Sequence, residues 1–206
     1  VIPGHKFAAL AGSGMAASGV SVGDVNGDDL PDIFLASSPG NNRLYRQVGR
    51  LKFEDITAGS GLDQDKSWSR GASMVDIDND GDLDIGVTTN NGQAQVIRND
   101  VPRTGNALRV QLRGTNSNRD GIGARVEVEL NDGSTIWRLV KTGSSYASQS
   151  ERPLTFGLAK TVTINSLRVR WPSGQTDIVH GVVGNQSVLV RENDGIVAAT
   201  PIGYAQ

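Results

Sequence analysis

The chain contains no cysteine, and this absence excludes disulfide bonds, thiolate-bound metals and a thiol nucleophile. Aromatic residues are scarce, at 5% of the 206 residues. No apolar run reaches the roughly 18 residues that a membrane-spanning helix needs. The formal net charge is only −2, which gives no bulk electrostatic reason to bind nucleic acid or an anionic membrane. We therefore predict no nucleic-acid partner and no membrane span.

Glycine, by contrast, is abundant, with 26 residues, and β-branched residues recur in short runs. This composition is typical of an all-β protein that is rich in turns. A chain of this length can bury a proper core and can form one large or two small domains.

Residues 76–84 hold five carboxylates at alternate positions, in the order DIDNDGDLD. Two such charges about 5 Å apart repel by roughly 3 kcal/mol at an effective dielectric constant of about 20, so a folded chain needs a cation to gather them. Alternating oxygen ligands on a tight turn, with Gly81 permitting the bend, suit Ca²⁺. Residues 24–32, DVNGDDLPD, repeat the pattern. The sequence therefore predicts two Ca²⁺ sites.

The residues after each acidic loop distinguish these sites from EF-hands. An EF-hand has a glutamate at loop position twelve and a helix on either side. Position twelve is Leu35 in one copy and Val87 in the other, and both lie in β-like runs. Extracellular calcium modules bind the ion at about 10⁻⁴–10⁻³ M, which the cytosol does not supply. We therefore predict β-hairpin loops in an extracellular or periplasmic protein.

The two loops belong to a longer internal repeat, in which residues 18–47 align with residues 70–99 without gaps. A period of about 50 residues with three or four short strands indicates blades of a β-propeller type. The strands predicted for the two copies are 20–22, 33–36 and 43–46, and then 72–75, 85–88 and 95–98.

The two predicted blades differ at their outer edges. The segment around Phe53 follows the first copy as a fourth, outer strand, but no such strand follows Asn99 in the second. A similar segment around Phe7 precedes the first copy and is spare. Because an open strand edge can pair with another strand, we predict self-association through these edges, within the chain or between subunits. The alternative is that the chain is a piece of a larger propeller.

From residue 106 onward the pattern is that of a second domain. Strands are predicted at 108–112, 124–130, 134–141, 162–164, 167–171 and 188–190, with turns between them. The predicted division is residues 1–103 for the blades (repeats at about 18–62 and 70–100), 104–193 for a β-sandwich or barrel-like domain, and 194–206 for a tail that is either docked as a strand or frayed.

The acidic loops resemble the FG-GAP or VCBS repeat, the calcium-binding blade also found in integrin α-subunit propellers. The shared motif is D-x-[DN]-x-[DN]-x-x-x-D, and the first loop departs from it at position six, where Asp29 replaces the usual glycine. The resemblance implies side-chain ligands at positions one, three, five and nine and a main-chain carbonyl at position seven. These ligands are Asp24, Asn26, Asp28, Asp32 and, at position seven, Leu30 in the first loop, and Asp76, Asp78, Asp80, Asp84 and, at position seven, Asp82 in the second.

Residues 106–192 resemble the ASPIC/UnbV domain that follows such blades in cartilage-acidic-protein-like chains. Four ordered motifs carry the resemblance, at residues 118–125, 143–150, 156–158 and 169–174. The resemblance implies a fold and calcium binding, and it implies no defined activity.

We predict a non-enzymatic, calcium-stabilised structural or adhesive module that is able to form filaments by strand exchange. One alternative is a carbohydrate- or protein-binding module, and a remote one is an accessory enzyme domain. Tyr146, Arg170 and Trp171 are candidates for a sugar-stacking or partner-binding patch, but the favoured interpretation is that Trp171 is a core residue and Tyr146 a packing anchor. Trp68 and Trp137 are predicted to lie in the core. His5 and His180 are isolated, with no nucleophile motif nearby.

Overall fold

The computed structural model describes residues 17–37, 41–62, 67–101, 105–146 and 148–203. All regular structure in these residues is β-strand, which confirms the predicted all-β class. Fifteen strands form four separate sheets. No helix among the described residues is long and apolar enough to cross a membrane.

The first blade is a four-stranded antiparallel meander. Its strands are β1 (Ala17–Gly23), β2 (Asp32–Ser37), β3 (Arg43–Gly49) and β4 (Lys52–Asp55), paired in that order. The first acidic loop, residues 24–32, connects β1 to β2. The outer strand predicted around Phe53 is confirmed as β4, whereas the Phe7 segment lies outside the described residues.

The second blade has three described strands, β5 (Ser69–Val75), β6 (Asp84–Thr89) and β7 (Gln95–Ile97). The second acidic loop, residues 76–84, connects β5 to β6. The blades share one core, in which buried Phe34, Met74 and Val87 are members. Strands β1 and β5 approach closely at Gly19, where a Cβ atom would lie 2.3 Å from the Arg70 carbonyl oxygen. The inner strands therefore meet through backbone, which only glycine allows at that point.

The second domain is a sandwich of two four-stranded sheets. One sheet has the order β10-β9-β12-β13 and the other the order β11-β8-β14-β15. All pairs are antiparallel except β8 with β14, which is parallel. The strands are β8 (Asn106–Arg113), β9 (Arg125–Glu129), β10 (Thr135–Leu139), β11 (Leu154–Ala159), β12 (Ser166–Arg170), β13 (Thr176–His180), β14 (Gln186–Arg191) and β15 (Gly195–Pro201).

Both sheets contribute to one apolar core, because alternate residues of each strand point inward. Val110, Val128, Phe156 and Leu167 are among its fully buried members. Strands β11 and β13 were not predicted, and the predicted strand at 162–164 forms only an isolated bridge between Thr163 and Val183. The segment from residue 194 contributes the edge strand β15, which pairs with β14.

Candidate metal centre

The second acidic loop brings three carboxylates together. Asp76 follows β5, Asp84 opens β6 and Asp78 lies between them, and one oxygen from each lies within 4.8 Å of the others. Asp76 and Asp84 are buried, and Asp78 is exposed at the rim. In the part of the chain that the structure describes, no other group of three His, Cys, Asp or Glu side chains converges in this way. Hard oxygen donors at this spacing could hold a metal ion.

The carboxylate of Asp76 is the least satisfied group in this cluster. Its side chain is fully buried, and neither oxygen has a well-aligned hydrogen bond. Oδ2 lies 2.6 Å from Nη1 of Arg109, close enough for an ion pair but without hydrogen-bond geometry. Burial raises the pKa of Asp76, and the Arg109 charge and the backbone N–H of Asn79 act against that shift. No well-aligned hydrogen bond from the described residues satisfies either oxygen, and a buried carboxylate in this state is where a cation would be expected.

The remaining second-loop carboxylates hold the loop in shape. Asp84 accepts hydrogen bonds from the Ile77 N–H at 2.9 Å and the Asn99 N–H at 2.8 Å. Asp80 accepts the N–H of Asp82 at 3.0 Å. Asp80 and Asp82 lie in the same loop but outside the converging triplet, and the Asp82 side chain is buried.

The first acidic loop uses its position-one carboxylate differently. Asp24 Oδ1 accepts the N–H of Gly27 at 2.7 Å, and Oδ2 accepts the N–H of Asp29 at 2.7 Å. Asn26 donates its side-chain amide to Asp28 at 2.9 Å. Thus the position-one carboxylate lacks a well-aligned hydrogen bond in Asp76 but is held in Asp24 by two short bonds from the backbone of its own loop. Among the described residues, the predicted ligands of the first loop do not form a converging triplet.

The other predicted carboxylate ligands of the first loop make the same hydrogen bonds as their counterparts in the second loop. Asp32 accepts hydrogen bonds from the Val25 N–H at 2.9 Å and the Gln47 N–H at 2.8 Å, as Asp84 does from Ile77 and Asn99. Asp28 accepts the N–H of Leu30 at 2.8 Å. The position-nine aspartate therefore has the same structural role in both loops.

The two loops also share a backbone conformation. Positions four and six have positive φ in each, at 75° and 73° for Gly27 and Asp29 and at 60° and 93° for Asn79 and Gly81. The aspartate that replaces glycine at position six adopts the left-handed conformation, which is strained for a residue with a Cβ atom.

Without an ion, Asp24, Asp29 and Asp32 of the first loop have raised pKa values. Burial raises the pKa of Asp32 to about 6, and hydrogen bonds from Val25 and Gln47 only partly counter it. Burial also raises the pKa of Asp29 to about 6 against the opposing charge of Arg138, and it raises that of Asp24. Because burial disfavours the charged form, these loops favour protonation or a bound cation.

The second loop lies against the sandwich domain through a buried ion-pair cluster. Arg109, on β8, contacts both Asp76 and Glu151 with its guanidinium group. Glu151 also accepts the backbone N–H of Asp76 at 3.2 Å. Burial raises the pKa of Glu151, and the charge of Arg109 opposes this. Asp76 is thus part of both the acidic loop and the contact between the blades and the sandwich.

The serine-rich motif at residues 143–150 extends this contact along the inner strands. The hydroxyls of Ser148 and Ser150 accept the N–H groups of Ala72 and Met74 on β5, at 2.9 and 3.3 Å. The Ser145 hydroxyl accepts the N–H of Val20 on β1 at 3.0 Å. Alternate serines therefore satisfy alternate backbone donors of the inner strands, as a neighbouring strand would.

The first loop meets the sandwich through packing and a weaker ion pair. A Cβ atom at Gly157 on β11 would lie 2.4 Å from Asp24 Oδ2 and 2.6 Å from the Gly27 carbonyl oxygen, so the loop rests directly on this glycine. Arg138 Nη2 lies 3.5 Å from Asp29 Oδ1, with both side chains partly exposed.

Sequence reasoning did not single out Arg109, Glu151 or the serine contacts as parts of the metal-site region. The spacing of Ser148 and Ser150, two residues apart, was the one available signal, because it matches the spacing of backbone donors on one strand edge. The arginine gave no local signal, since its partner lies in another domain of the chain.

The structure places several of the aromatic residues differently from the sequence predictions. Trp171 is buried in the sandwich core and donates its indole N–H to Asp177 at 2.8 Å, so it cannot form a surface patch with Tyr146 and Arg170. Tyr146 is exposed. The prediction that Trp68 and Trp137 are core residues is wrong, since they are 48% and 52% exposed. Trp137 stands on the outer face of β10, where an arginine guanidinium lies 4.4 Å from its ring.

Comparison with protein families agrees with this architecture. A family model described as an FG-GAP-like repeat matches residues 24–87, and one described as ASPIC and UnbV matches residues 114–197. The chain carries FG-GAP-like repeats followed by an ASPIC and UnbV domain. The first match contains both acidic loops, and the second contains most of the sandwich. FG-GAP repeats are generally calcium-binding, which agrees with the buried acidic cluster.

Among curated proteins, the chain is similar to cartilage acidic protein 1. It is 29% identical to the Xenopus tropicalis protein over 204 residues, which is 91% of this chain and 31% of that protein. It is 36% identical to the Mus musculus protein over 70 residues, or 34% of this chain and 11% of that protein. The Homo sapiens protein is 36% identical over 67 residues, or 32% and 10%. The chain therefore spans less than a third of the relatives that it matches.

Proposed function

We propose that the FG-GAP and ASPIC/UnbV region is a non-enzymatic, calcium-stabilised structural or adhesive module of an extracellular or periplasmic protein. The observation that carries this proposal is the convergence of Asp76, Asp78 and Asp84, together with the lack of a well-aligned hydrogen bond to the buried Asp76 carboxylate among the described residues. Asp76 also contacts Arg109 and Glu151, so an ion there would stiffen the second blade at its contact with the sandwich.

The state of the carboxylates favours a structural role over acid–base catalysis. The oxygens of Asp24, Asp32 and Asp84 accept backbone N–H groups of their own loops or adjoining strands. A glycoside hydrolase also needs a carboxyl group with a raised pKa, but it needs that group free to meet a substrate, with a second carboxyl group opposite it. The raised-pKa carboxyls of Asp24 and Asp32 are instead engaged by backbone N–H groups. Carboxylates that are hydrogen-bonded to the loop backbone fix the conformation of that loop, which is a structural role.

Calcium-dependent stability tests the proposal. At a free calcium concentration about 20-fold above Kd, each occupied site adds about 1.8 kcal/mol to the free energy of unfolding. Two sites then contribute a large share of a typical stability of about 5–15 kcal/mol. We expect the thermal midpoint to rise with millimolar Ca²⁺ and to return to its starting value with a chelator. A thermal midpoint that changes with neither Ca²⁺ nor the chelator would contradict the proposal.

We further propose that the module self-associates through β7. In the described part of the chain, β7 pairs with β6 alone, and Val96 on it is 67% exposed. A one-sided edge strand is a template for another strand. Light scattering at high protein concentration should give masses above the monomer. A charge at this edge, Val96→Lys, should restore the monomer, whereas Val162→Lys, at an equally exposed valine elsewhere, should not. A monomeric wild type would contradict this proposal.

A second candidate function is that of a binding module for a carbohydrate or a protein. The observation that favours it is the half-exposed Trp137 on an edge strand, beside a large cleft. Exposed aromatic side chains with apolar neighbours are typical of binding surfaces.

A further inference from the structure

A cleft of about 720 Å³ lies between the blades and the sandwich domain. Val22, Met74 and Leu83 line it on the blade side. The whole length of β10 lines it on the sandwich side, together with Leu154. Its walls combine apolar side chains with polar and charged ones, and it has the size of a ligand site.

The strand β10 faces this cleft with an unpaired edge. In the described residues, β10 pairs only with β9. The Leu130 N–H bonds to the Ser134 carbonyl, and the Val140 N–H bonds to the Ala124 carbonyl, each at 2.9 Å. Antiparallel pairs alternate between bonded and non-bonded, so these two bonds place the bonded positions of β10 at even residue numbers.

It follows that Thr135, Trp137 and Leu139 direct their backbone N–H and C=O groups away from β9, toward the cleft that they line. The Trp137 carbonyl accepts one weak contact from Arg138 Nη1, at 3.3 Å. The structure shows no strand on this side within the described residues. Three consecutive outward positions form a template for one short extended segment.

The side chains around this edge point to the same ligand. Val22, Trp137 and Leu139 are 55%, 52% and 45% exposed, and all three line the cleft. Such exposed apolar residues gathered in one place mark an interaction site. The hydroxyl oxygens of Ser144 and Thr155, which also line the cleft, are buried and have no hydrogen-bond partner among the residues that the structure describes. Buried hydroxyls are normally paired, so these two are available to a ligand.

Lys141 places a positive charge at one end of the cleft. It lines the cleft just beyond the end of β10, and the described residues include no ion pair with it. Arg138, the neighbouring cation, is already held by Asp29 at 3.5 Å. The other carboxylates that line the cleft are also engaged, Asp24 by backbone N–H groups of its loop and Glu151 by Arg109. A ligand that carries a negative charge at the Lys141 end of the strand would complement this site.

We propose that the cleft binds an extended peptide segment of a partner protein, which adds as a strand to β10. The backbone edge selects an extended peptide, the apolar walls accept side chains at alternate positions, and Lys141 selects an acidic residue at one end. The proposal names a partner class for the second candidate function and does not depend on calcium stabilisation of the loops.

Selection from a phage-displayed library of random octapeptides tests this proposal, with the full chain as target in millimolar Ca²⁺. The expected result is a family of peptides that alternate apolar residues and carry an acidic residue at one end. Hydrogen exchange with a selected peptide bound should slow at the amides of Thr135, Trp137 and Leu139. A library that yields no enriched peptide would overturn the proposal.

A backbone variant separates strand addition from side-chain contact. Leu139→Pro removes one outward N–H without touching the bonds to β9, and we expect it to weaken a selected peptide at least tenfold. The matched control is Ile178→Pro on β13, the other edge of the same sheet. The Trp171 N–H bond to the Gln175 carbonyl places the Ile178 N–H outward by the same alternation. The control should bind as the wild type does.

Two side-chain variants cover the case in which Leu139→Pro disturbs folding. Val22→Arg fills the blade-side wall at an exposed position and should abolish binding. Lys141→Gln should weaken the acidic peptide and leave its amide analogue unchanged. Peptides that bind the wild type and the three cleft variants equally would overturn the proposal. A glycan array that shows Trp137-dependent binding in place of peptide binding would also overturn it, because it would assign the cleft to sugars.

Discussion

The two acidic loops have nearly the same sequence pattern and the same backbone conformation, yet their position-one carboxylates differ. Asp24 accepts short hydrogen bonds from its own loop, whereas Asp76 has no well-aligned hydrogen bond among the described residues and has an arginine of the sandwich beside it. Asp32 and Asp84, at position nine, have matching contacts. The difference therefore lies in the partners that the rest of the chain supplies, and the motif alone does not determine it.

Each loop also has its own type of contact with the sandwich. The second loop has the buried cluster of Asp76, Arg109 and Glu151, and the first has packing on Gly157 with the half-exposed pair of Asp29 and Arg138. A buried charge that loses its only partner is costly, while a partly exposed pair contributes little. The comparison thus predicts unequal responses to equivalent changes in the two loops.

The largest difference should follow from removing the two arginines. Arg109→Gln leaves the buried carboxylates of Asp76 and Glu151 without a counter-charge and should lower the free energy of unfolding by about 3–5 kcal/mol in chelator. Arg138→Gln should lower it by about 1 kcal/mol or less. Urea denaturation of both variants measures the difference. Equal losses would show that the two contacts are energetically alike.

The next effect is a pH dependence of the calcium-free protein. Burial raises the pKa of Asp32 in the folded state to about 6, above its value of 3.8 in the unfolded chain. The folded protein then binds more protons than the unfolded chain does, so the stabilisation is complete below pH of about 4 and is lost as the pH rises through about 6. A shift of this size corresponds to about 2–3 kcal/mol.

Chemical denaturation in chelator between pH 4 and 7 measures this loss. Asp32→Asn should remove the part due to Asp32 and leave the part due to Asp29 and Asp24, whose pKa values are also raised. Calcium should also remove this loss, since a cation favours the charged carboxylate. The contribution of the buried Glu192 to stability has the opposite pH dependence, and it changes in a lower pH range. Hydrogen bonds from Ser117, Ser173 and Thr115 outweigh its burial and lower its pKa to about 2, so its contribution is lost only as the pH falls below about 4. Stability that rises from pH 4 to 7 without calcium would contradict the assignment of Asp32.

Calcium-dependent stabilisation should be affected more by the second loop. Asp80→Ala, at position five, should remove about 1.8 kcal/mol of stabilisation at a calcium concentration about 20-fold above Kd. Asp28→Ala, at position five of the first loop, should remove less at the same concentration, because Asp24 must first release its backbone donors. Thermal melts with and without Ca²⁺ compare the two. A larger loss for Asp28→Ala would reverse the ranking of the loops.

The smallest effect concerns the backbone of the first loop. Asp29 has φ of 73°, where the second loop has Gly81 at 93°. Asp29→Gly relieves the left-handed strain and removes a partly buried carboxylate, and it should stabilise the calcium-free protein by about 1 kcal/mol at pH 7. The gain should be absent for Arg138→Gln, which removes the ion-pair partner but keeps the strained residue. A destabilised Asp29→Gly variant would mean that the Arg138 contact matters more than the strain.

The sequence predicted the all-β class, because period-two alternation and turn residues occur throughout the chain. It also predicted the position of both loops between paired strands, since each acidic run interrupts two β-like runs. It could not predict that Asp76 and Arg109 meet, because no local pattern encodes a contact between separate domains. Trp137 was predicted to be buried because tryptophan usually is, and only the register of β10 shows that its side chain faces outward.

The most direct test of the central claim, that the second loop is the better prepared metal site, is calorimetric titration of Ca²⁺ into matched position-three variants. Asp78→Ala and Asn26→Ala remove the same loop position from the second and the first loop. The account predicts that Asp78→Ala abolishes the tighter of two binding events and that Asn26→Ala weakens only the other. A tighter event that persists in Asp78→Ala, or a wild type that binds no calcium, would contradict it.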